Sequence, residues 1–179
     1  MNEPAGSRRP DARVLERWQS PAGVALLIRP LAADDAAREV RFLQSLSPQT
    51  RYERVFSHRG LLPGELRRMV RFDVRREIAL LAAAEQKPHE EIVAVSRLKK
   101  SADGEYEFAL VVGDAWQRHG IGSRLLRRLL AVAKLAGIGR VSGVTMATNA
   151  SMKALCRKVG FRLQPDPDDA TVTLLEIDV

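Results

Sequence analysis

The stretch Val112-Gly113-Asp114-Ala115-Trp116-Gln117-Arg118-His119-Gly120-Ile121-Gly122-Ser123-Arg124 closes an apolar strand and opens a long amphipathic helix. Gly120 and Gly122 let the backbone turn tightly and come close to a ligand without a Cβ in the way. A helix that starts here turns unpaired N–H groups and the positive end of its dipole toward an anion. Gln117, Arg118, His119, Gly120, Ile121, Gly122 and Ser123 therefore read as a phosphate cradle. Arg124 is either a charge-assisted donor to phosphate oxygens or a solvated helix arginine. Two other phosphate loops fit poorly. The dinucleotide fingerprint needs a third glycine where Leu125 stands, and an acidic residue about 20 positions on; no Asp or Glu occurs between Asp114 and Asp166. A Walker loop needs Gly-Lys-Ser/Thr, which the chain lacks.

The elements that must hold this loop follow from periodicity. Residues up to about Ser20 are rich in Pro, Arg and Ser and read as a flexible N-terminal arm, residues 1–20, ahead of one domain over residues 21–179. Val24–Arg29 reads as a first strand. Asp34 or Asp35 caps a helix to about Ser45, Ser47-Pro48 opens a second, and Pro63-Gly64-Glu65 a third. Glu77–Glu85 is rich in Ala and Leu, yet the turn at Lys87-Pro88-His89 and the apolar run Ile92–Leu98 favour an antiparallel pair of strands. Ser101-Ala102-Asp103-Gly104 signals a hairpin into Glu105–Val112, with Tyr106, Phe108, Leu110 and Val112 on one face and Glu105, Glu107, Ala109 and Val111 on the other. Ile121, Leu125, Leu129, Val132, Ala133 and Ala136 form a helical stripe ended by Gly137. Arg140–Ala147 is a strand, Asn149–Val159 a helix, and Phe161–Leu163 and Thr171–Ile177 the last strands. The layout is α/β around one mixed sheet.

Composition bounds the function. The 179 residues, 45% hydrophobic, suit one globular domain. The longest apolar run, Ile78–Ala84, is far too short to span a bilayer. Glu3, Arg8, Arg9, Asp11 and Arg13 leave no apolar core for a secretory signal, and the single cysteine, Cys156, fits a reducing compartment, so the expected location is cytoplasmic. A net charge of +7 and pI near 10.2 favour anionic partners, but the basic residues are dispersed and no nucleic-acid signature accompanies them. His58, His89 and His119 lack ligand spacing, so no metal is expected.

The loop Gln117-Arg118-His119-Gly120-Ile121-Gly122 closely resembles the pyrophosphate loop of the GNAT acyltransferases, which bind acetyl-CoA. A second stretch, Asn149-x-x-Met152-x-x-Leu155-x-x-x-Val159-Gly160-Phe161, resembles that family's Asn-containing helix start and following Gly-Phe. The resemblance covers the chain from about Val24 to its end. It implies a GNAT fold: a single mixed, mostly antiparallel sheet, helices on both faces, and a fourth strand splayed from the fifth. Ile28-Arg29-Pro30-Leu31 with Asp34-Asp35, Leu46-Ser47-Pro48-Gln49-Thr50-Arg51-Tyr52, and Glu107-Phe108-Ala109-Leu110-Val111-Val112 are similar to the acetyltransferase domain of bacterial protein-lysine acetyltransferases. In those proteins a ligase-like or cyclic-nucleotide-binding region is often attached; this chain holds neither.

The resemblance implies transfer of an acetyl group from acetyl-CoA to a primary amine, of a protein lysine or of a small molecule, without a metal, and dimers are common among such proteins. A non-catalytic acyl-CoA-binding regulatory domain is the rival from another class. A lysine amine has a pKa near 10.4, so deprotonation near pH 7 costs about 4–5 kcal/mol, and a nearby carboxylate serves as base. Glu107 stands at the position of the family's catalytic glutamate, with Glu105 as runner-up. The splayed strand leaves backbone groups of Leu110, Val111 and Val112 for the pantetheine amides, and the Val112 N–H for the oxyanion. Asn149 caps its helix and by resemblance touches the pantetheine arm, beside Met152. Cys156 stands where many family members have a tyrosine that acts as general acid, so the thiolate is expected to leave with solvent help or without a dedicated acid. Arg51, Tyr52 and Arg75 are expected to line the acceptor pocket.

Overall fold

The computed structural model describes residues 16–21, 23–55, 64, 70, 73, 76–86 and 89–179. Most of the helical piece expected at Pro63-Gly64-Glu65, most of the Lys87-Pro88-His89 turn, and Arg75 lie outside them. Eight strands form one sheet: β1 (Glu16–Gln19), β2 (Ala25–Pro30), β3 (Glu77–Gln86), β4 (His89–Lys100), β5 (Tyr106–Val112), β6 (Arg140–Met146), β7 (Arg162–Pro165) and β8 (Val172–Asp178). Their spatial order is β1-β2-β3-β4-β5-β6-β8-β7. Every pair is antiparallel except β5–β6. The helices are α1 (Ala36–Ser45), α2 (Pro48–Val55), α3 (Ile121–Leu135) and α4 (Ala150–Val159). No helix among the described residues is long and apolar enough to cross a membrane.

The Ala/Leu-rich segment of β3 is a strand because it pairs on both edges, with β2 and β4, and is buried on both faces. Helix propensity is worth tenths of a kcal/mol per residue and yields to that burial. Its alternate residues feed two cores. Leu80, Ala82 and Ala84 join Phe108, Leu110 and the α3 stripe Ile121, Leu125, Leu129 and Ala133. Ala79, Leu81 and Ala83 join Phe42, Leu43 and Leu46 of the α1 side, with Val95 and Val111. The strand β5 separates the two cores, so its side chains reach both.

The end of the expected flexible arm is corrected. Glu16–Gln19 is an edge strand paired with β2 from Glu16↔Ile28 to Gln19↔Ala25. Trp18 packs on the α3 core, and Glu16 forms ion pairs with Arg124 and Arg128 of α3. Residues 1–15 of that arm lie outside the described residues. With β1 in front, the expected splayed fourth and fifth strands are β5 and β6.

Gly143 on β6 has a specific packing reason. A Cβ there would sit 2.5 Å from Phe108 Cε1 and 2.7 Å from Cδ1. That ring packs on Phe161, centroids 4.9 Å apart. Gly143→Ala is therefore expected to push the ring aside and destabilise the fold by about 1–3 kcal/mol. A thermal melt checks it: an unchanged midpoint would show that the ring yields freely.

Candidate active site

β5 and β6 run parallel but are in register at a single pair, Glu107↔Ser142. Past it β5 continues with only β4 beside it, through Ser96↔Leu110, Val95↔Val111 and Ala94↔Val112. Backbone groups alternate in direction along a strand. The Gly113 N–H donates to Val93 O at 2.8 Å, on the β4 side, and Tyr106 O accepts from Ser142 Oγ at 3.4 Å, on the β6 side. The same alternation turns the Leu110 and Val112 backbone edges toward the gap. Val111 turns its edge to β4, so the open edges number two where three were expected. Val112 O accepts from Gln117 Nε2 at 3.2 Å.

The gap opens into a cleft of about 450 Å³. Leu110, Val111, Val112, Gln117, Arg118, Gly120, Gly122, Ser123, Asn149 and Met152, all named from sequence, line it. Gly120 is the N-cap of α3 at φ 79°, and Arg118 also has a positive φ, 62°, uncommon for a residue with a side chain. These left-handed positions turn successive N–H groups toward one concave side. The first intrahelical bond runs from Arg124 N to Gly120 O at 3.1 Å. The N–H groups of Ile121, Gly122 and Ser123 precede it and belong to the unpaired helix start. Gly122 is close-packed: a Cβ would meet Leu155 Cδ1 at 2.7 Å.

Several expected residues sit elsewhere. Ile121 is buried in the α3 core, so only its backbone faces the loop. The His119 side chain is off the cleft wall, its Nδ1 buried without a hydrogen-bond partner among the described residues. Arg124 is also off the wall. Its guanidinium donates to Glu16 (Nε to Oε1 3.1 Å) and lies 6.0 Å from the Trp18 ring centroid, because β1 brings a carboxylate to that helix face. Cys156 is fully buried in the α3 core, and burial pushes its thiol up to about 12. It does not line the cleft. Asn149 does, while its Oδ1 caps α4 by accepting from Met152 N at 2.9 Å. Glu107 is exposed on β5 at the vertex of the gap. Glu105 lies before the strand, its carbonyl held by Ser101 N and Oγ, each at 2.9 Å.

The acceptor-side expectations shift by helical phase. Thr50, Glu53 and Arg54 line the cleft instead of Arg51 and Tyr52. Positions three and four apart share a helix face, so 50, 53 and 54 point one way and 51 and 52 another. Asp114, just after β5, ties this helix to the phosphate loop. Its Oδ2 accepts from Ser47 N at 2.8 Å, and its Oδ1 from Ser47 Oγ at 2.6 Å and Thr50 Oγ1 at 2.7 Å. Gln117 Nε2 donates to Thr50 Oγ1 at 3.2 Å, closing the link. Nothing local in the sequence marks Asp114, whose partners lie 64 to 67 residues away.

Burial raises the Asp114 pKa, but hydrogen bonds from Ser47 and Thr50 outweigh it and hold the carboxyl below its ordinary 3.8. The stabilisation is therefore present above 3.8 and is lost as pH falls through the lower folded value. Asp114→Asn is expected to lose about 1 kcal/mol near pH 7, after allowance for its exposure. Melting curves of both proteins should converge in strong acid; a gap that persists there would exclude the carboxylate charge as its source.

A cradle of this kind beside an open strand edge suits a long phosphate-bearing thioester, and the family comparison agrees. The model of the acetyltransferase (GNAT) family matches residues 42–161. The chain belongs to the GNAT acetyltransferase family. An acetyltransferase of Pseudomonas aeruginosa is 33% identical over 148 residues, 82% of this chain and 80% of the relative. Among solved structures, the GNAT domain of S. lividans PAT superposes with TM-score 0.83 at 27% identity, covering 94% of this chain and 99% of that one. The PaiA N-acetyltransferase of Thermoplasma acidophilum, solved with coenzyme A, shares the fold with TM-score 0.63 at 17% identity, covering 86% of this chain and 99% of that one. This GNAT chain is an acyl-CoA-dependent N-acetyltransferase.

Proposed function

We propose that this enzyme moves the acetyl group of acetyl-CoA to a primary amine, of a protein lysine or a small molecule, by direct attack with Glu107 as general base. One observation carries the reading: the open edge of β5, the loop ahead of α3 and the α2 wall converge on one cleft, and the exposed Glu107 stands earlier on β5, at the β5–β6 pair where the gap begins. The N–H groups of residues 118–123 hold the pyrophosphate, and the Leu110 and Val112 edges pair with the pantetheine amides as an added strand would. Asn149 and Met152 border that arm. Arg124 reaches the phosphates only by leaving Glu16.

Glu107 takes the amine proton, directly or through water, and the freed nitrogen forms its bond to the thioester carbonyl carbon. The Val112 N–H donates to the oxygen that gains charge. Collapse breaks the C–S bond, and the thiolate takes a proton from solvent, because the Cys156 thiol is buried away from the cleft. The experiment is thiol release from acetyl-CoA with a panel of lysine peptides and small amines, products identified by mass. An acetyl group on the amine nitrogen is the expected result. Thiol release equal with and without amine would exclude amine transfer.

A further inference from the structure

The acceptor end of the cleft holds a positive charge without a contact partner among the described residues. Arg54, on the last turn of α2, lines the cleft with Thr50 and Glu53. It lies within electrostatic reach of Glu39, Arg97 and Glu107, yet forms no hydrogen bond or ion pair with any described residue. The nearby carboxylates are engaged or too far. Both Glu39 oxygens accept from Arg97 Nη2, at 2.8 and 2.7 Å, and Glu77 accepts from Arg97 Nη1 at 3.1 Å. Glu53 accepts from Gln49 Nε2 at 2.7 Å. Glu107 stays beyond ion-pair distance. One turn earlier, Arg51 has a buried Nε with no hydrogen-bond partner among the described residues. Burial first, then repulsion by Arg97, lowers the Arg54 pKa, with Glu39 and Glu107 opposing.

A half-buried guanidinium on a cleft wall gains most from a planar oxyanion that accepts its forked N–H groups. An acceptor arriving as a bare ammonium meets repulsion from Arg54; one that brings its own carboxylate does not. Building on the acetyl-transfer reading above, we propose that Arg54 anchors a carboxylate carried by the acceptor, so that the preferred acceptor is an amine with a carboxylate close beside it. The source is a free amino acid or a lysine flanked by an acidic residue. The hydrogen bonds from Ser47 and Thr50 to Asp114 set α2, and Arg54 with it, against the phosphate loop.

The test uses acceptor pairs that differ only in that carboxylate: amino acids against their carboxamides, and short Lys-Glu peptides against Lys-Gln peptides. Thiol release is followed for the wild type, Arg54→Gln and Arg54→Lys. The wild type should favour the carboxylate member of at least one pair tenfold or more in kcat/KM, chiefly through KM. Arg54→Gln should bring that pair within about twofold, and Arg54→Lys should keep part of the preference, which also guards against a folding defect. The pair that responds identifies the source. Equal use of both members by the wild type, or a preference that survives Arg54→Gln, overturns the anchor while leaving acetyl transfer standing. Thiol release with no amine in the panel overturns both readings.

Discussion

Glu107→Gln is expected to lower amine acetylation on the order of 100-fold or more, while affinity for CoA stays within about twofold of wild type. Glutamine keeps the size and hydrogen-bonding reach of the side chain but cannot take a proton. The residue is exposed and does not line the cleft described above, so removing its charge leaves the cradle and the β5 edge intact. The deficit should shrink as pH rises toward the amine pKa near 10.4, because a free amine needs no base. A wild-type rate in the variant would remove Glu107 from the mechanism and move attention to Glu105. A loss that stays constant up to high pH would point to a role other than proton removal.

Gly120→Asp should abolish acetyl-CoA binding where Glu107→Gln spares it. The N-cap of α3 sits at φ 79°, a region that L side chains enter at a cost of about 1–2 kcal/mol. A Cβ there finds ordinary contacts, 3.8 Å from Trp18 and 3.9 Å from Pro21, so steric overlap is not the main effect. The carboxylate is. It places a negative charge at the helix start, where the pyrophosphate needs positive potential. A drop in affinity of about 100-fold or more, about 2.7 kcal/mol, is expected by calorimetry. Gly120→Asn asks the same of the backbone without the charge and should lose markedly less. Equal losses for the two would assign the effect to strain, and unchanged binding in both would show that the loop is not the phosphate site.

The glycine turn is readable because its signal is local: Gly120 at a helix start needs only its neighbours to be recognised. Alternation marks Glu107 only as a strand carboxylate, and the role proposed for it comes from the family resemblance. Asn149 is similar: its cap to Met152 spans three residues. The strand identity of β3 was readable only through its flanking turn and the strand after it, since its own composition suits a helix.

What the chain alone could not reveal depends on groups distant in sequence. Arg124 looked free to meet a phosphate, but Glu16, 108 residues earlier, takes it through an edge strand too short to announce itself. The expected lining residues Arg51 and Tyr52 lie on another face of α2, which turns Thr50, Glu53 and Arg54 to the cleft instead. Asp114 stands in a short linker by sequence, and only its bonds to Ser47 and Thr50 join α2 to the loop ahead of α3.

The sequence by itself determined the helix and strand periods and the glycine turn ahead of α3, because each is written in contiguous residues that obey backbone geometry, and the resemblance of two motifs pointed to the GNAT fold. Only the tertiary structure decided which backbone edges of β5 stay open, which arginines are already paired, and which face of α2 lines the cleft. Those outcomes depend on strand divergence, helix rotation and ion pairing between segments dozens of residues apart, where no local pattern carries the information.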